Sequence, residues 1–531
     1  MTRKIFACLT ALMISASMLC SCSQSPSDAD TDGAEQTQQS SGAENENLTG
    51  SDNAVLEYLQ RANKLSYVEL SIGGQTVRLD MNGAAYIELN TLNCENDLSV
   101  SYTGHEDYSV TFAGIPLAAG ETISYRVPRL DKNDTITVDV EDSLNGGKKT
   151  FYIATWPSTI PGYTIVGQSP YEGDYYLTTM SSSGQDNIAM KIGQDGMLKY
   201  YFYNPSGCIA DFKKVNTPDG VRYLLFSTID SRYYTKGCSQ HGCYIVMDEE
   251  YREINRLFMK KTDHVPADDF PVDQHDCLYI SDNEYYLISY VDKNVYNIPD
   301  IIAHKANGTL VTAAVIQGIR DGEVFFEWDS TDYPEFYGLS VDYNDYTNRS
   351  GIYSADYMHI NSISLDPKDG NLLISCRNID TVFKINSQTG DVMWKLSGLG
   401  DEFGLDESQK TSRQHYANYT DLGSITVFDN GNANAQTRIV EYWLNEDGLT
   451  LEGFKEYKID GYFSFATGSV QRIDNNSDVF VIGWGYRIVG QDGTNSLYPQ
   501  FSEIDFSTGR TLFEFRFEDP YISTYRCVKC R

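Results

Sequence analysis

The sequence predicts an all-β protein, a six-bladed β-propeller preceded by a small N-terminal β-sandwich. Short runs rich in β-branched and aromatic residues alternate with Asp, Asn and Gly turns along most of the chain. Hinges recur at Gln194-Asp195-Gly196, Ala306-Asn307-Gly308, Gln388-Thr389-Gly390, Glu446-Asp447-Gly448 and Phe506-Ser507-Thr508-Gly509, several followed by an aromatic strand such as Val392-Met393-Trp394. Such imperfect repeats at variable spacing are those of degenerate propeller blades. Amphipathic helices are scarce, which disfavours a doubly wound α/β sheet.

The N-terminus carries Arg3 and Lys4 and then an apolar run from Ile5 to Leu19. This is the pattern of a signal peptide and is short for a membrane span. It ends in Leu19-Cys20-Ser21-Cys22, which fits a lipobox with the lipid on the Cys22 thiol. Residues 1–21 are therefore expected to be removed. Residues 22–53 hold seven acids, no base and many Ser, Gln and Asn, the composition of a flexible tether. The expected product is an exported bacterial lipoprotein, at the outer face of the cytoplasmic membrane or in the periplasm.

Residues 54–157 open with a short predicted helix at 55–63 and continue as brief strands, among them Val77-Arg78-Leu79 and Thr135-Ile136-Thr137-Val138, as in a β-sandwich. Pro157 and Pro161 mark the hinge. Residues 158–531 are long enough for six blades of about 40–60 residues each.

The formal net charge is −33. A surface this acidic repels nucleic acid and anionic lipid, so no nucleic-acid partner is expected and the membrane is met through the lipid anchor only. An anion site must then be a local cluster of cations and hydrogen-bond donors. The 39 tyrosines suit aromatic-lined pockets. In an exported protein, Cys238 and Cys243 could close a small loop and Cys527 and Cys530 could pair or bind a metal, whereas Cys208, Cys277 and Cys376 read as buried thiols. No spacing gives a four-ligand zinc site.

Three of the seven histidines stand in unusual contexts. Asp273-Gln274-His275-Asp276, Tyr357-Met358-His359-Ile360-Asn361 and Ser412-Arg413-Gln414-His415 each precede a predicted strand, at equivalent places in successive blades. In a propeller those places converge on the central channel. His359 and Asn361 share a face if their segment is extended. Arg377, at the end of Leu372-Leu373-Ile374-Ser375-Cys376, adds a fixed cation.

His359-Ile360-Asn361-Ser362-Ile363 with Ser375-Cys376-Arg377, and Arg413-Gln414-His415 with Phe428-Asp429-Asn430-Gly431, are similar to the two most specific motifs of the PAPS-independent bacterial arylsulfate sulfotransferases. Phe151-Tyr152-Ile153-Ala154-Thr155-Trp156-Pro157 resembles that family's entry into its propeller. The resemblance covers about residues 150–531. It implies transfer of a sulfuryl group from an aryl sulfate to a phenol through a sulfated histidine. His415 would be the nucleophile, His359, Asn361 and Arg377 would bind the sulfuryl oxygens, and His275 would complete the ring. Thr467 and Tyr525 would line the pocket. Gram-negative members carry a disulfide shortly upstream of the nucleophile, but here no Cys lies between Cys376 and Cys527.

The residue types agree with that chemistry. A neutral imidazole is a good nucleophile near neutral pH, and Arg, Asn and His can stabilise developing sulfuryl charge. No P-loop or nucleotide fingerprint is present, so no cofactor and no metal are expected. The expected partners are small-molecule donor and acceptor, with a homodimer left open. Three other readings compete. The histidines with Asp273 and Asp276 could hold a divalent metal for a hydrolase. The propeller could bind glycan or protein without catalysis. The Asp391-Val392-Met393-Trp394 motif resembles the repeats of quinone-dependent dehydrogenases.

Overall fold

The computed structural model describes residues 66–89, 97–104, 107–127, 134–156, 159–181, 187–205, 207–228, 241–348, 354–486 and 498–531. The expected signal, the lipidated Cys22, the tether, the helix at 55–63, Pro157 and Cys238 lie outside them. The protein is nearly all β. Among the described residues, helix is confined to three short 3-10 segments, Ser330–Asp332, Pro334–Leu339 and Arg377–Ile379, and no helix is long and apolar enough to cross a membrane.

The chain divides into two compact units near Ala154 and Thr155. The N-terminal unit holds a four-stranded and a five-stranded antiparallel sheet. Its strands alternate inward and outward, as the pleat requires. In Thr135–Asp142, for example, Ile136, Val138 and Val140 are buried while Thr135, Thr137 and Asp139 are exposed.

Among the described residues, the C-terminal unit holds six successive antiparallel sheets of four or five strands and a two-stranded pairing of Met180–Ser181 with Ile522–Ser523. The second runs through Ile209–Thr217, Gly220–Ser227, His241–Met247 and Glu253–Leu257. The third runs through Cys277–Ser281, Glu284–Val295, Thr309–Arg320 and Glu323–Asp329. The fourth is Ile360–Leu365, Leu372–Cys376, Thr381–Ile385 and Val392–Leu396, and the fifth is His415–Tyr419, Ile425–Asp429, Arg438–Asn445 and Thr450–Tyr457. Central strands such as Leu372–Cys376 are buried along their whole length, because both faces are covered. Leu224, Phe226 and Tyr244 of the second sheet pack on Leu287, Ala313 and Val315 of the third. Leu373, Val382 and Trp394 of the fourth pack on Val427, Val440 and Tyr442 of the fifth.

The first and last sheets exchange chain ends. The first sheet, Asp174–Thr178, Ile188–Ile192 and Leu198–Tyr203, receives the C-terminal strand Cys527–Cys530 beside Asp174–Thr178. The sixth, Ser469–Asp474, Val479–Gly483, Phe501–Asp505 and Arg510–Phe517, receives Tyr163–Gly167. The two sheets also touch directly, with the Tyr175 ring 4.8 Å from Phe501 and 4.7 Å from Phe513.

Cys527 and Cys530 are free thiols, so the pairing that their spacing left open is not formed. They lie three positions apart in one strand, so their side chains leave opposite faces. Cys277 and Cys376 are buried and free as expected, and Cys208 is free and half-buried. Cys243 is buried.

One ion pair fastens the C-terminal strand. Lys529 Nζ donates to Glu503 Oε2 at 2.8 Å, to Ser169 Oγ at 2.6 Å and to the Tyr171 carbonyl at 2.8 Å. The Lys529 and Glu503 side chains are 2% and 0% exposed. Removing one partner strands a buried charge, which costs about 3–5 kcal/mol, whereas replacing both by neutral groups of similar size costs little. Lys529→Ala is therefore expected to lower the chemical-denaturation midpoint sharply, and Lys529→Met with Glu503→Gln to restore most of it. An unchanged midpoint for Lys529→Ala would contradict this role.

Candidate active site

The three sequence-predicted histidines meet at the inner ends of the third, fourth and fifth sheets. His275 precedes Cys277–Ser281, His359 precedes Ile360–Leu365, and His415 opens His415–Tyr419. The His275 and His359 rings stand edge to face with centroids 4.7 Å apart. His415 lies within electrostatic reach of Arg377, His275 and His359. All three are nearly enclosed, at 2%, 4% and 2% exposure in chain order.

The backbone here is unusual. His359, Arg413, Tyr416 and Thr467 all take positive φ, at 57°, 59°, 52° and 59°. Non-glycine residues rarely enter this region, and where they do the surroundings must hold them there. Strand pairing slips beside two of them, between Ile360 and Ser362 and between His415 and Asn418. Such bulges re-aim side chains. They also correct the expectation that His359 and Asn361 share a strand face: the left-handed turn at His359 breaks the alternation.

Each imidazole is oriented through Nδ1. His275 Nδ1 donates to Asp273 Oδ1, which also accepts the His275 backbone N–H at 2.9 Å. His359 Nδ1 donates to Asp356 Oδ2 at 2.6 Å. His415 Nδ1 meets Asn430 Oδ1 at 2.7 Å and the Arg413 carbonyl at 3.1 Å. Asn430 cannot turn its oxygen away cheaply, because its Nδ2 donates to the Ser464 and Thr467 carbonyls at 3.0 and 2.9 Å. With both acceptors on Nδ1, the proton sits there and the Nε2 lone pair is bare. Among the described residues, that lone pair accepts only the Thr467 backbone N–H, at 3.2 Å. Burial, then the positive charge of Arg377, press the His415 pKa well below 6.5, against the pull of Asn430. His415 is thus a neutral imidazole presenting Nε2.

Arg377 uses only Nη1 internally, on Asn378 Oδ1 at 2.8 Å and Asp342 Oδ2 at 3.2 Å. Its Nε and Nη2 have no hydrogen-bond partner among the described residues. Asn361 lies fully buried, its Nδ2 donating to the Gln414 carbonyl at 2.7 Å and its Oδ1 unpaired. Tyr525 stands 5.8 Å from the His275 ring with its hydroxyl buried and unpaired. Burial raises its pKa and keeps it a neutral donor, Arg526 acting in the opposite sense. Asp273 Oδ2 and Asp356 Oδ1 are also enclosed without partners. So much unused hydrogen-bonding capacity in one place fits a polar ligand.

Asp276 is not available as the metal ligand it could have been. Its Oδ1 takes Lys213 Nζ at 2.7 Å and Arg526 Nη1 at 3.0 Å. Asp273 spends Oδ1 on His275. Among the described residues, the carboxylates spaced for a cation are Asp366, Asp369 and Glu446, and Lys384 Nζ lies 2.5, 2.8 and 2.7 Å from them.

Asn430, Asp356 and Arg526 are the functional residues that sequence reasoning missed. The carboxylates had a local signal, since Asp273 and Asp356 lie two and three residues before their histidines. Asn430 stood within a quoted motif without a role. Its part at Nδ1 yields a test. Asn430→Asp keeps an acceptor there but adds a negative charge, which favours the imidazolium and raises its pKa. The acid limb of activity, expected below pH 6.5 in the wild type, should move upward in Asn430→Asp, as read from the pH profile of phenol release. An unmoved limb would separate Asn430 from the protonation of His415.

Comparison with known proteins follows this geometry. The model of the family Arylsulfotransferase (ASST) matches residues 230–503, about half of the chain. No curated protein matches it. A putative 6-phosphogluconolactonase from Bacteroides fragilis is 10% identical, covering 80% of this chain and 99% of its own, with a TM-score of 0.29. The dihydro-heme d1 dehydrogenase NirN is 8% identical, covering 69% and 79%, with a TM-score of 0.30. These structural likenesses are too slight to carry an argument. The family match spans His275, Asn361, Arg377, His359, His415 and Asn430, the residues that build the cluster, and the chain belongs to the arylsulfotransferase family.

Proposed function

We propose that the chain moves a sulfuryl group from an aryl sulfate to a phenol by double displacement through His415, without a nucleotide sulfate donor. The observation that carries this reading is the bare Nε2 of a buried, neutral His415, fixed by Asn430 and faced by Arg377 and two further histidines.

In the first half-reaction the Nε2 lone pair forms the N–S bond while the S–O(aryl) bond breaks and its electrons leave on the phenolate. Arg377, through Nε and Nη2, takes the sulfuryl oxygens as their charge grows. The Thr467 N–H, which lies on Nε2, passes to a sulfuryl oxygen as the lone pair is used. His275 and Tyr525 face the same group, and Asn361 sets the wall beside them. His359, oriented by Asp356, supplies the proton that the phenolate takes. In the second half-reaction the incoming phenol gives its proton back to His359, its oxygen attacks sulfur, and the N–S bond breaks to restore the lone pair.

The six sheets read best as blades of a six-bladed propeller closed by the C-terminal strand, with the two N-terminal sheets as a β-sandwich and the boundary near residue 157. The support is the run of four-stranded units, each packed on the next, and the exchange of chain ends between first and last. The apolar run from Ile5 to Leu19 and the Leu19-Cys20-Ser21-Cys22 pattern support export of the enzyme on a lipid anchor at Cys22. Export as a lipoprotein predicts that Cys22→Ala moves the protein into the soluble fraction.

Initial rates with a chromogenic aryl sulfate at several fixed phenol concentrations should give parallel double-reciprocal lines; intersecting lines would favour direct transfer in a ternary complex. His415→Asn should reduce turnover to background with the fold intact, because a covalent step has no substitute for its nucleophile. Arg377→Lys keeps the charge but loses the planar fork and should cost on the order of 10²–10³ in rate. Activity of Arg377→Lys within a few-fold of wild type would make Arg377 peripheral.

A further inference from the structure

One carboxylate touches both Arg377 and Arg413 and belongs to none of the motifs. Asp342 Oδ2 accepts from Arg377 Nη1 and from Arg413 Nε, each at 3.2 Å. Asp342 lies in the loop after the 3-10 segment Pro334–Leu339, between the third and fourth sheets. The loop is built rather than loose. Ser340 Oγ donates to the Asp342 carbonyl at 2.8 Å, Asn344 Nδ2 to the Ser340 carbonyl at 2.8 Å, and the Val341 N–H to the Asn378 carbonyl at 2.8 Å. Arg413 is further held by both oxygens of Asp380, at 2.8 and 2.9 Å, and its own carbonyl accepts from His415 Nδ1. A single oxygen thus ties the cation that would receive the sulfuryl group to the segment that carries the nucleophile.

The placement has two physical consequences. Asp342 and Asn378 together occupy Nη1 of Arg377, so the guanidinium plane is fixed and its Nε–Nη2 edge is left for a ligand. A fork held on one side presents two donors in a set direction on the other. At the same time a negative charge beside Arg377 weakens its hold on any anion. The first effect favours the transition state, in which the sulfuryl oxygens must be met in register. The second opposes tight binding of sulfate esters and sulfate alike.

We propose that Asp342 is a positioning residue for Arg377 that also tempers the affinity of the site for anions. This rests on Arg377 being the sulfuryl-binding cation of the proposed reaction. The Asp342 side chain is 36% exposed, so its removal leaves no buried cavity.

Asp342→Asn and Asp342→Ala separate the two effects. The amide keeps an acceptor for Nη1 but no charge, and Ala keeps neither. Asp342→Asn is expected to bind inorganic sulfate about tenfold more tightly by calorimetry and to lower the donor KM, with kcat within a few-fold of wild type. Asp342→Ala is expected to lose about tenfold or more in kcat without a matching rise in KM, and Asp342→Glu to recover part of the loss. Arg377→Ala should abolish the gain in sulfate affinity in the Asp342→Asn background. Equal sulfate affinity and equal kinetics in all the Asp342 variants would overturn the proposal, leaving a surface ion pair without consequence. So would a loss of rate that follows a fall in melting temperature at constant KM. If the wild type releases no phenol from aryl sulfates, the proposed reaction is wrong. The sulfate titrations then still decide whether Asp342 tempers Arg377.

Discussion

The site depends on a buried cluster of four charges around Arg526. Its Nη1 donates to Asp211 Oδ1 at 3.1 Å and to Asp276 Oδ1 at 3.0 Å, while Lys213 Nζ lies 2.8 Å from Asp211 and 2.7 Å from Asp276. Two cations and two anions cancel in a largely enclosed space, with Arg526 only 2% exposed. Burial alone would push the Asp276 carboxyl up, but Lys213 and Arg526 hold it below its ordinary range. The cluster gains little stability over a well-packed apolar one, yet losing any single member would be severe. Its value lies in where it reaches. Arg526 Nη2 donates to the His275 carbonyl at 2.6 Å and the Asn361 carbonyl at 3.3 Å, and Asp276 Oδ2 accepts the Ile363 N–H at 3.1 Å. Segments from the second, third and fourth sheets and the C-terminus are thereby set against one another within hydrogen-bond tolerance.

On that frame the proposed nucleophile, His415, is made by subtraction. Histidine at the surface would carry a proton for part of its time near neutral pH. At His415, burial and the charge of Arg377 remove that proton, and Asn430 decides which nitrogen keeps the one that remains. The left-handed residues His359, Arg413, Tyr416 and Thr467 supply the geometry, each held by contacts that compensate its strain. The acidic surface repels anions at long range, so recognition of a sulfate ester must come from these few donors at contact distance.

Much of this was legible in the sequence because it is local. Strand–turn–strand patterning marks the fourth sheet from Ile360 to Leu396, and His275, His359 and His415 fall just before strands where converging sheet ends can bring them together. What stayed hidden is what depends on distant pairing. Arg526 finds Asp211 and Asp276 across separations of 315 and 250 residues, and nothing near Tyr525 announces it. Asp342 lies 35 and 71 residues from the two arginines it joins. The extended reading of His359 and Asn361 failed for another reason: a bulge and a positive φ are imposed by packing, not by residue preference. Cys527 and Cys530 show the same limit, since spacing suggested a bond that the strand's own alternation prevents.

The central claim is that His415 carries the sulfuryl group between donor and acceptor. Incubating the protein with aryl sulfate alone, quenching without acid because an N-sulfo bond is acid-labile, and mapping peptide masses tests it directly. The account predicts a sulfuryl mass gain on the peptide containing His415, lost when phenol is added before the quench. Phenol-dependent turnover with no adduct there, or an adduct on another residue that phenol discharges, would contradict it.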